Sequence, residues 1–206
     1  MSAATLLNKI HTGDYDAAFA ALYGADQVMA QRHRYAHAVE GFVSTFGEEG
    51  DLMLFSAPGR TEIGGNHTDH NYGRVLAGSV NLDVIAVVRP GDSIIRMQSE
   101  GYPMLTVDTA ELIPVDSEQN GSASLIRGTA ARFTQLDYAV GGFDAYATSN
   151  VLKGSGLSSS AAFEVLIGVI LSHLYNDGKV SAVEIAQIAQ YAENVYFGKP
   201  CGLMDQ

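Results

Sequence analysis

The 206-residue chain has no tryptophan and a single cysteine, Cys201. One cysteine cannot form an internal disulfide, so the composition fits a reducing compartment. Positive charge is scarce: 12 lysines and arginines stand against 23 aspartates and glutamates, a formal net charge of −11. No basic stripe interleaved with aromatics occurs, which argues against nucleic acid as a partner, and against a membrane surface for the same reason. No apolar run is long enough to span a bilayer; the longest, near Ala161–Leu171, reads as a buried helix. The opening Met1–Ile10 lacks the basic segment and long apolar stretch of a signal peptide, so a cytoplasmic location is expected. Internal repeats and low-complexity tracts are absent too. If so acidic a chain binds an anion such as a nucleotide phosphate, it must use local donors: backbone N–H groups, a helix N-terminus or a metal ion.

What is present suffices for a core, since 47% of residues are hydrophobic. Residues 1–49 are alanine-rich with interspersed polar residues and read as mostly helical. Strand chemistry starts at Leu52–Ala57. It continues in the alternating, Val- and Ile-rich stretch Val75–Arg89 and in short runs at Ser93–Met97, Met104–Val107 and Phe143–Ser149. Pro114–Gly121 reads as a polar loop and Ser124–Leu136 as a helix. Ser158–Tyr175 reads as a helix buried on nearly all sides. Ser181 with Glu184 three residues later forms a capping box that opens a last helix running towards Phe197. Strands first and helices later predict an α+β layer, a mixed sheet with helices on one face.

Three segments carry candidate chemistry. In Ser56–Asn71 a Pro58-Gly59 turn follows a strand, and Arg60, Glu62, Asn66, His67 and Asp69 lie close enough to converge on a polyhydroxylated ligand. Sugar hydroxyls both donate and accept, so carboxylates, amides and imidazoles suit them. An ordinary polar loop with Asx turns, or a metal site from His67, Asp69 and His70, would account for the same residues. Gly154-Ser-Gly-Leu-Ser-Ser-Ser160 lies between a strand and an apolar helix. Glycines admit a phosphate to the backbone, serines add donors, and the helix N-terminus adds partial positive charge. It is neither a P-loop nor a dinucleotide fingerprint; a flexible turn with a serine cap is the plain alternative. Glu193 and Asp205 form the third set, one a Mg²⁺ ligand and the other a proton acceptor, or else both ordinary solvated acids. His33 and His37 stand four apart on a helix without the glutamate of a zinc-protease motif, and are expected on a solvated face beside Arg32 and Arg34. Cys201 reads as a packing residue.

Taken in order, Gly59-Arg-Thr-Glu-Ile-Gly-Gly-Asn-His-Thr-Asp-His-Asn71, Leu152-Lys-Gly-Ser-Gly-Leu-Ser-Ser-Ser-Ala161 and Gly198-Lys-Pro-Cys-Gly-Leu-Met-Asp-Gln206 resemble the signatures of the galactokinase branch of the GHMP small-molecule kinases. The resemblance runs from about Phe46 to Gln206. It implies a ribosomal protein S5 domain 2-like N-terminal domain over 46–206, preceded by a helical extension over 1–45. It implies ATP- and Mg²⁺-dependent phosphorylation of galactose at its C1 hydroxyl. By position, Asp205 matches the catalytic aspartate and Arg60 the arginine that keeps it ionised. Glu62, Asn66, His67 and Asp69 fall at substrate-binding positions. Gly154, Ser155, Gly156, Leu157, Ser158, Ser159 and Ser160 match the ATP-phosphate loop, and Ser159, Ser160 and Glu193 match the metal site. The chain departs from the family at Asn66 (a glutamate there), Glu62 (an asparagine) and Leu152 (a proline). Asn66 leaves the sugar open between galactose and a relative such as N-acetylgalactosamine or arabinose. A sugar sensor without turnover is the non-enzymatic alternative. Family members continue into a second domain, so these 206 residues are expected to be inactive by themselves and to expose apolar surface meant for that partner.

Overall fold

The computed structural model describes residues 1–151 and 156–206. Three helices open the chain: α1 (Ala3–Thr12), α2 (Asp16–Tyr23) and α3 (Val28–Phe46). The Ser2 hydroxyl accepts the Thr5 N–H at 3.3 Å, capping α1, and Gly13 ends it in the left-handed region. α1 buries Ala3, Leu6 and Ile10, and α3 buries Tyr35, Ala38, Val39 and Phe42, each at the three-to-four spacing of one helical face.

Five strands follow in the sheet order β1-β2-β5-β3-β4: β1 (Met53–Gly64), β2 (Leu76–Pro90), β3 (Ile94–Ser99), β4 (Leu105–Asp108) and β5 (Phe143–Ser149). Every pairing is antiparallel except β3 with β5, which makes the sheet mixed, as its sequence suggested. Between them lies α4 (Ser122–Gln135). After β5 come α5 (Ser159–Tyr175), α6 (Ala182–Tyr191) and a π-helical turn, Ala192–Phe197. Ser181 and Glu184 form the anticipated capping box. The last helix does reach Phe197, but its final turn is wound as π rather than α, and the Pro114–Gly121 loop contains a short 3₁₀ turn, Asp116–Glu118.

β2 shows how the layers divide. Val84, Ala86 and Val88 enter a core with β5, α4, α5 and α6, while Ile85 and Val87 enter a second core with α1, α2 and α3. Successive strand residues point to opposite faces, so five consecutive buried residues mean that both faces are covered. The helices of residues 46–206 lie on one face, as expected, and the N-terminal helices close the other.

Asp83 fastens the two layers. Its carboxylate accepts from the hydroxyls of Tyr23 and Ser56, both at 2.5 Å, and from Arg34 at 2.6 Å. Arg34 also donates to the Asp83 carbonyl at 2.9 Å, and that carbonyl accepts the Asn150 N–H at 2.9 Å. His33 and His37 are exposed, as their pattern suggested, but Arg34 is not on a solvated face: its partner lies 49 residues away.

The first halves of β2 and the second of β1 run past both cores as a two-stranded arm, with Arg60 opposite Ser79 and Glu62 opposite Ala77. Register shifts between Pro58 and Arg60 and between Glu62 and Gly64 bend this arm, as bulges do where a side chain must be re-aimed.

Candidate active site

The arm, the start of α5 and the 198–206 segment meet at one place. Arg60 is its hub, with its side chain 11% exposed. Its Nε donates to Asp205 Oδ1 at 3.1 Å, and Nη2 also contacts that oxygen. Nη1 donates to the Gly156 carbonyl at 2.8 Å, and the Arg60 backbone N–H donates to the Leu157 carbonyl at 3.3 Å. Gly59 allows this approach: a Cβ there would stand 2.9 Å from the Leu157 oxygen. Gly156 and Leu157 thus turn carbonyls towards the arginine.

Asp205 is drawn two ways. Burial pushes its carboxyl up, but hydrogen bonds from Arg60 and Ser158 and the Arg60 charge outweigh it, holding the group below its ordinary value. His67 completes the cluster. Its Nε2 lies 3.3 Å from Arg60 Nη2 and 3.6 Å from Asp205 Oδ1, and its Nδ1 lies 2.7 Å from Glu62 Oε2. Asn66 joins through its backbone, whose N–H donates to Glu62 Oε1. Asp69 accepts the Met204 N–H at 2.9 Å, seating the 198–206 segment against the arm.

A second cluster adjoins the first. Ser160, in the first turn of α5, donates to Glu193 Oε1 at 3.0 Å. Lys199 pairs with the same oxygen at 3.0 Å, and Gln206 donates to Oε2 at 3.1 Å. Glu193 is fully buried at the start of the π turn, so it is not a solvated acid, nor is Asp205 with 16% of its side chain exposed. π turns inside helices are frequent at functional sites. Cys201 is half-buried and burial pushes its thiol up to about 12, consistent with a packing residue and unlike a nucleophile.

Sequence reasoning missed Glu164, Lys199 and Gln206. Glu164 is completely buried, and neither carboxylate oxygen has a partner among the described residues. Burial, then the neighbouring Glu193 charge, pushes its carboxyl up to about 9. One signal was available: a lone acid inside the apolar run Ala161–Leu171. Glu193 and the Ser160 hydroxyl, with the Asp205 carboxylate nearby, offer hard oxygen donors. That chemistry fits Mg²⁺, which takes one or two protein ligands and keeps several waters. His67, Asp69 and His70 engage separate partners, and among the described residues no set of three His, Cys, Asp or Glu side chains is placed to hold a metal ion, so these three are not assembled as a metal site. Nothing in the structure assigns Ser159 a contact, and the expected phosphate contacts of Gly154 and Ser155 lie outside the described residues.

This fold belongs to a known class. Residues 124–206 match the family model of the GHMP kinases N terminal domain, and residues 40–90 match the galactokinase galactose-binding signature. The mevalonate kinase crystal structure, at TM-score 0.58 and 17% identity over 74% of this chain and 49% of its own, shares the fold. Galactokinase of Bacillus subtilis (strain 168) is 37% identical over 168 residues, 80% of this chain and 43% of that protein. Galactokinase of Clostridium tetani is 34% identical over 166 residues, 80% of this chain and 42% of that protein. The crystal structure of Lactococcus lactis galactokinase complexed with galactose superposes at TM-score 0.76 with 29% identity, over 84% of this chain and 45% of that one. The chain belongs to the galactokinase family of the GHMP kinases. It spans under half the length of the curated relatives it matches.

Proposed function

We propose that the protein transfers the γ-phosphoryl group of ATP to the C1 hydroxyl of galactose, giving galactose 1-phosphate and ADP. The observation that carries this reading is the Arg60–Asp205 pair, with His67 3.6 Å from Asp205 on a polar arm and Ser158 on its other side. In the reaction the C1 oxygen forms a bond to phosphorus as the β–γ bridging bond breaks, and the hydroxyl proton passes to Asp205. A carboxylate held below its ordinary pKa is a weak base, so it takes that proton late. This suits a loose transition state, where positioning and charge neutralisation do most of the work. Arg60 keeps Asp205 ionised and offsets charge on the transferring group. His67 and Asp69 hold the sugar, with Glu62 and Asn66 at the same corner. The serines opening α5 and the loop before it, Gly154 to Ser160, hold the phosphates. Mg²⁺, when bound by Ser160 and Glu193 with Ser159 beside them, supplies positive charge at the phosphates.

Turnover is proposed for a polypeptide of the relatives' length, since the chain covers under half of them. A second domain would then close the site opposite the arm, with 46–206 as the kinase N-terminal domain and 1–45 as a helical extension behind it. No described helix is long and apolar enough to cross a membrane. A cytoplasmic reaction is part of the same proposal, on the strength of the family resemblance. Asn66, where the family has a glutamate, favours one second reading: a kinase for a related sugar such as N-acetylgalactosamine or arabinose. ADP release measured with these three sugars distinguishes them. The reading expects the highest kcat/KM with galactose; a higher value with either other sugar reassigns the substrate.

A further inference from the structure

Arg60 and Glu62 stand two apart on β1 and therefore project from the same face of the arm. Beyond them the chain turns sharply. Gly65, Asn66 and His67 have consecutive positive φ values of 113°, 53° and 55°. Non-glycine residues held consecutively in the left-handed region persist only where other contacts determine them. Here the determinant is the Glu62 carboxylate, which holds both: Oε1 accepts the Asn66 N–H, and Oε2 lies 2.7 Å from His67 Nδ1. Glu62 is three-quarters buried while His67 is half exposed, so the anchored partner is the acid and the presented one is the imidazole.

The two contacts of His67 agree on one protonation pattern. An arginine guanidinium can only donate, so Arg60 Nη2 at 3.3 Å requires Nε2 to be the acceptor. The ring proton then sits on Nδ1, where Glu62 accepts it. Nε2 is left as an acceptor nitrogen 3.6 Å from the Asp205 carboxylate.

We propose that Glu62 is a positioning residue that sets the specificity of the acceptor site: by accepting the Nδ1–H of His67, it makes Nε2 the acceptor for a hydroxyl of the sugar. This rests on the sugar-kinase reading above. On binding, the sugar hydroxyl replaces the Arg60 N–H as donor to Nε2, and Arg60 Nη2 turns wholly to Asp205. The site thereby selects a substrate with a donor hydroxyl at that point.

The test has two arms. Long-range ¹H–¹⁵N spectra of the 206-residue chain report the His67 tautomer without any substrate. The wild-type ring is expected protonated at Nδ1; Glu62→Ala is expected to abolish that preference, and Glu62→Gln, which retains an acceptor, to keep it. In kinase assays of the intact protein, Glu62→Ala is expected to raise the sugar KM roughly tenfold, as for loss of one charge-assisted hydrogen bond, with kcat and the ATP KM within about twofold. Glu62→Gln is expected to recover most of the loss. A wild-type ring protonated at Nε2, or a tautomer unmoved by Glu62→Ala, overturns the proposal whatever the activity. A switched tautomer with an unmoved sugar KM overturns the specificity role. No phosphorylation of any sugar by wild type, with the tautomer switch intact, overturns the kinase reading and upholds Glu62 as the residue that positions His67.

Discussion

Replacing Glu164 by glutamine keeps the shape of the side chain and removes its ability to ionise. In the unfolded chain this carboxyl titrates near 4.5; in the fold, burial first and Glu193 second push it up to about 9. Between those values the folded state binds the extra proton, so stability is greatest below the lower one and falls as pH rises towards the higher, by about 1.4 kcal/mol per pH unit. From pH 5 to pH 8 the loss assignable to Glu164 is about 4 kcal/mol, a large part of the 5–15 kcal/mol available to a typical domain. Glu164→Gln lacks this penalty. Urea unfolding of both proteins followed by circular dichroism, in EDTA at each pH from 5 to 8, isolates the effect, because groups common to both cancel in the difference. The variant should gain steadily on wild type, by about 4 kcal/mol between pH 5 and pH 8 whatever the offset at pH 5. Parallel pH dependences would mean that Glu164 ionises normally, and would refute the assignment of a neutral, unpartnered acid beneath Glu193.

Further outcomes follow from single contacts. Arg34→Met removes the cation from the buried Asp83 and should cost about 3–5 kcal/mol, read as a fall in urea midpoint; a change under about 1 kcal/mol would mean that Tyr23 and Ser56 satisfy Asp83 unaided. Gly202→Ala places a Cβ 1.9 Å from Asp69 Oδ2, so Asp69 must shift and its bond to the Met204 N–H must loosen. The expected result is a stability loss of about 1–3 kcal/mol and weaker galactose binding by calorimetry; unchanged affinity would separate Asp69 from the sugar site.

Much of this was legible in the residues because local chemistry decided it. The alternation of β2, the Ser181–Glu184 cap and the apolar run of α5 are local patterns, and their elements fall within a few residues of expectation. The segments 59–71 and 198–206 could be paired only through the family resemblance, since nothing in the spacing says that Arg60 meets an aspartate 145 residues on. What could not be read depends on tertiary placement. Glu193 looked like a surface acid because its burial comes from α5 and the 199–206 segment packing over it. Arg34 looked solvated because Asp83 lies on a distant strand. The helical cover on the second face was hidden because residues 1–49 read as mostly helical but not as helices docked on Ile85 and Val87. Glu62 stood out as one of several polar residues of the 56–71 segment and as a departure from the family asparagine; its grip on His67 depends on the left-handed corner at Gly65–His67.

Asp205, held ionised by Arg60, is proposed to receive the sugar proton in phosphoryl transfer from ATP. The most direct measurement is galactose 1-phosphate formation, followed by ³¹P NMR with ATP and Mg²⁺, by the intact protein and its Asp205→Asn variant. Product is expected in the wild type, with a fall of at least about a hundredfold in the variant and galactose binding retained. Product formation at comparable rates by both proteins would contradict the role of Asp205, and galactose binding without any product in the wild type would contradict the kinase assignment itself.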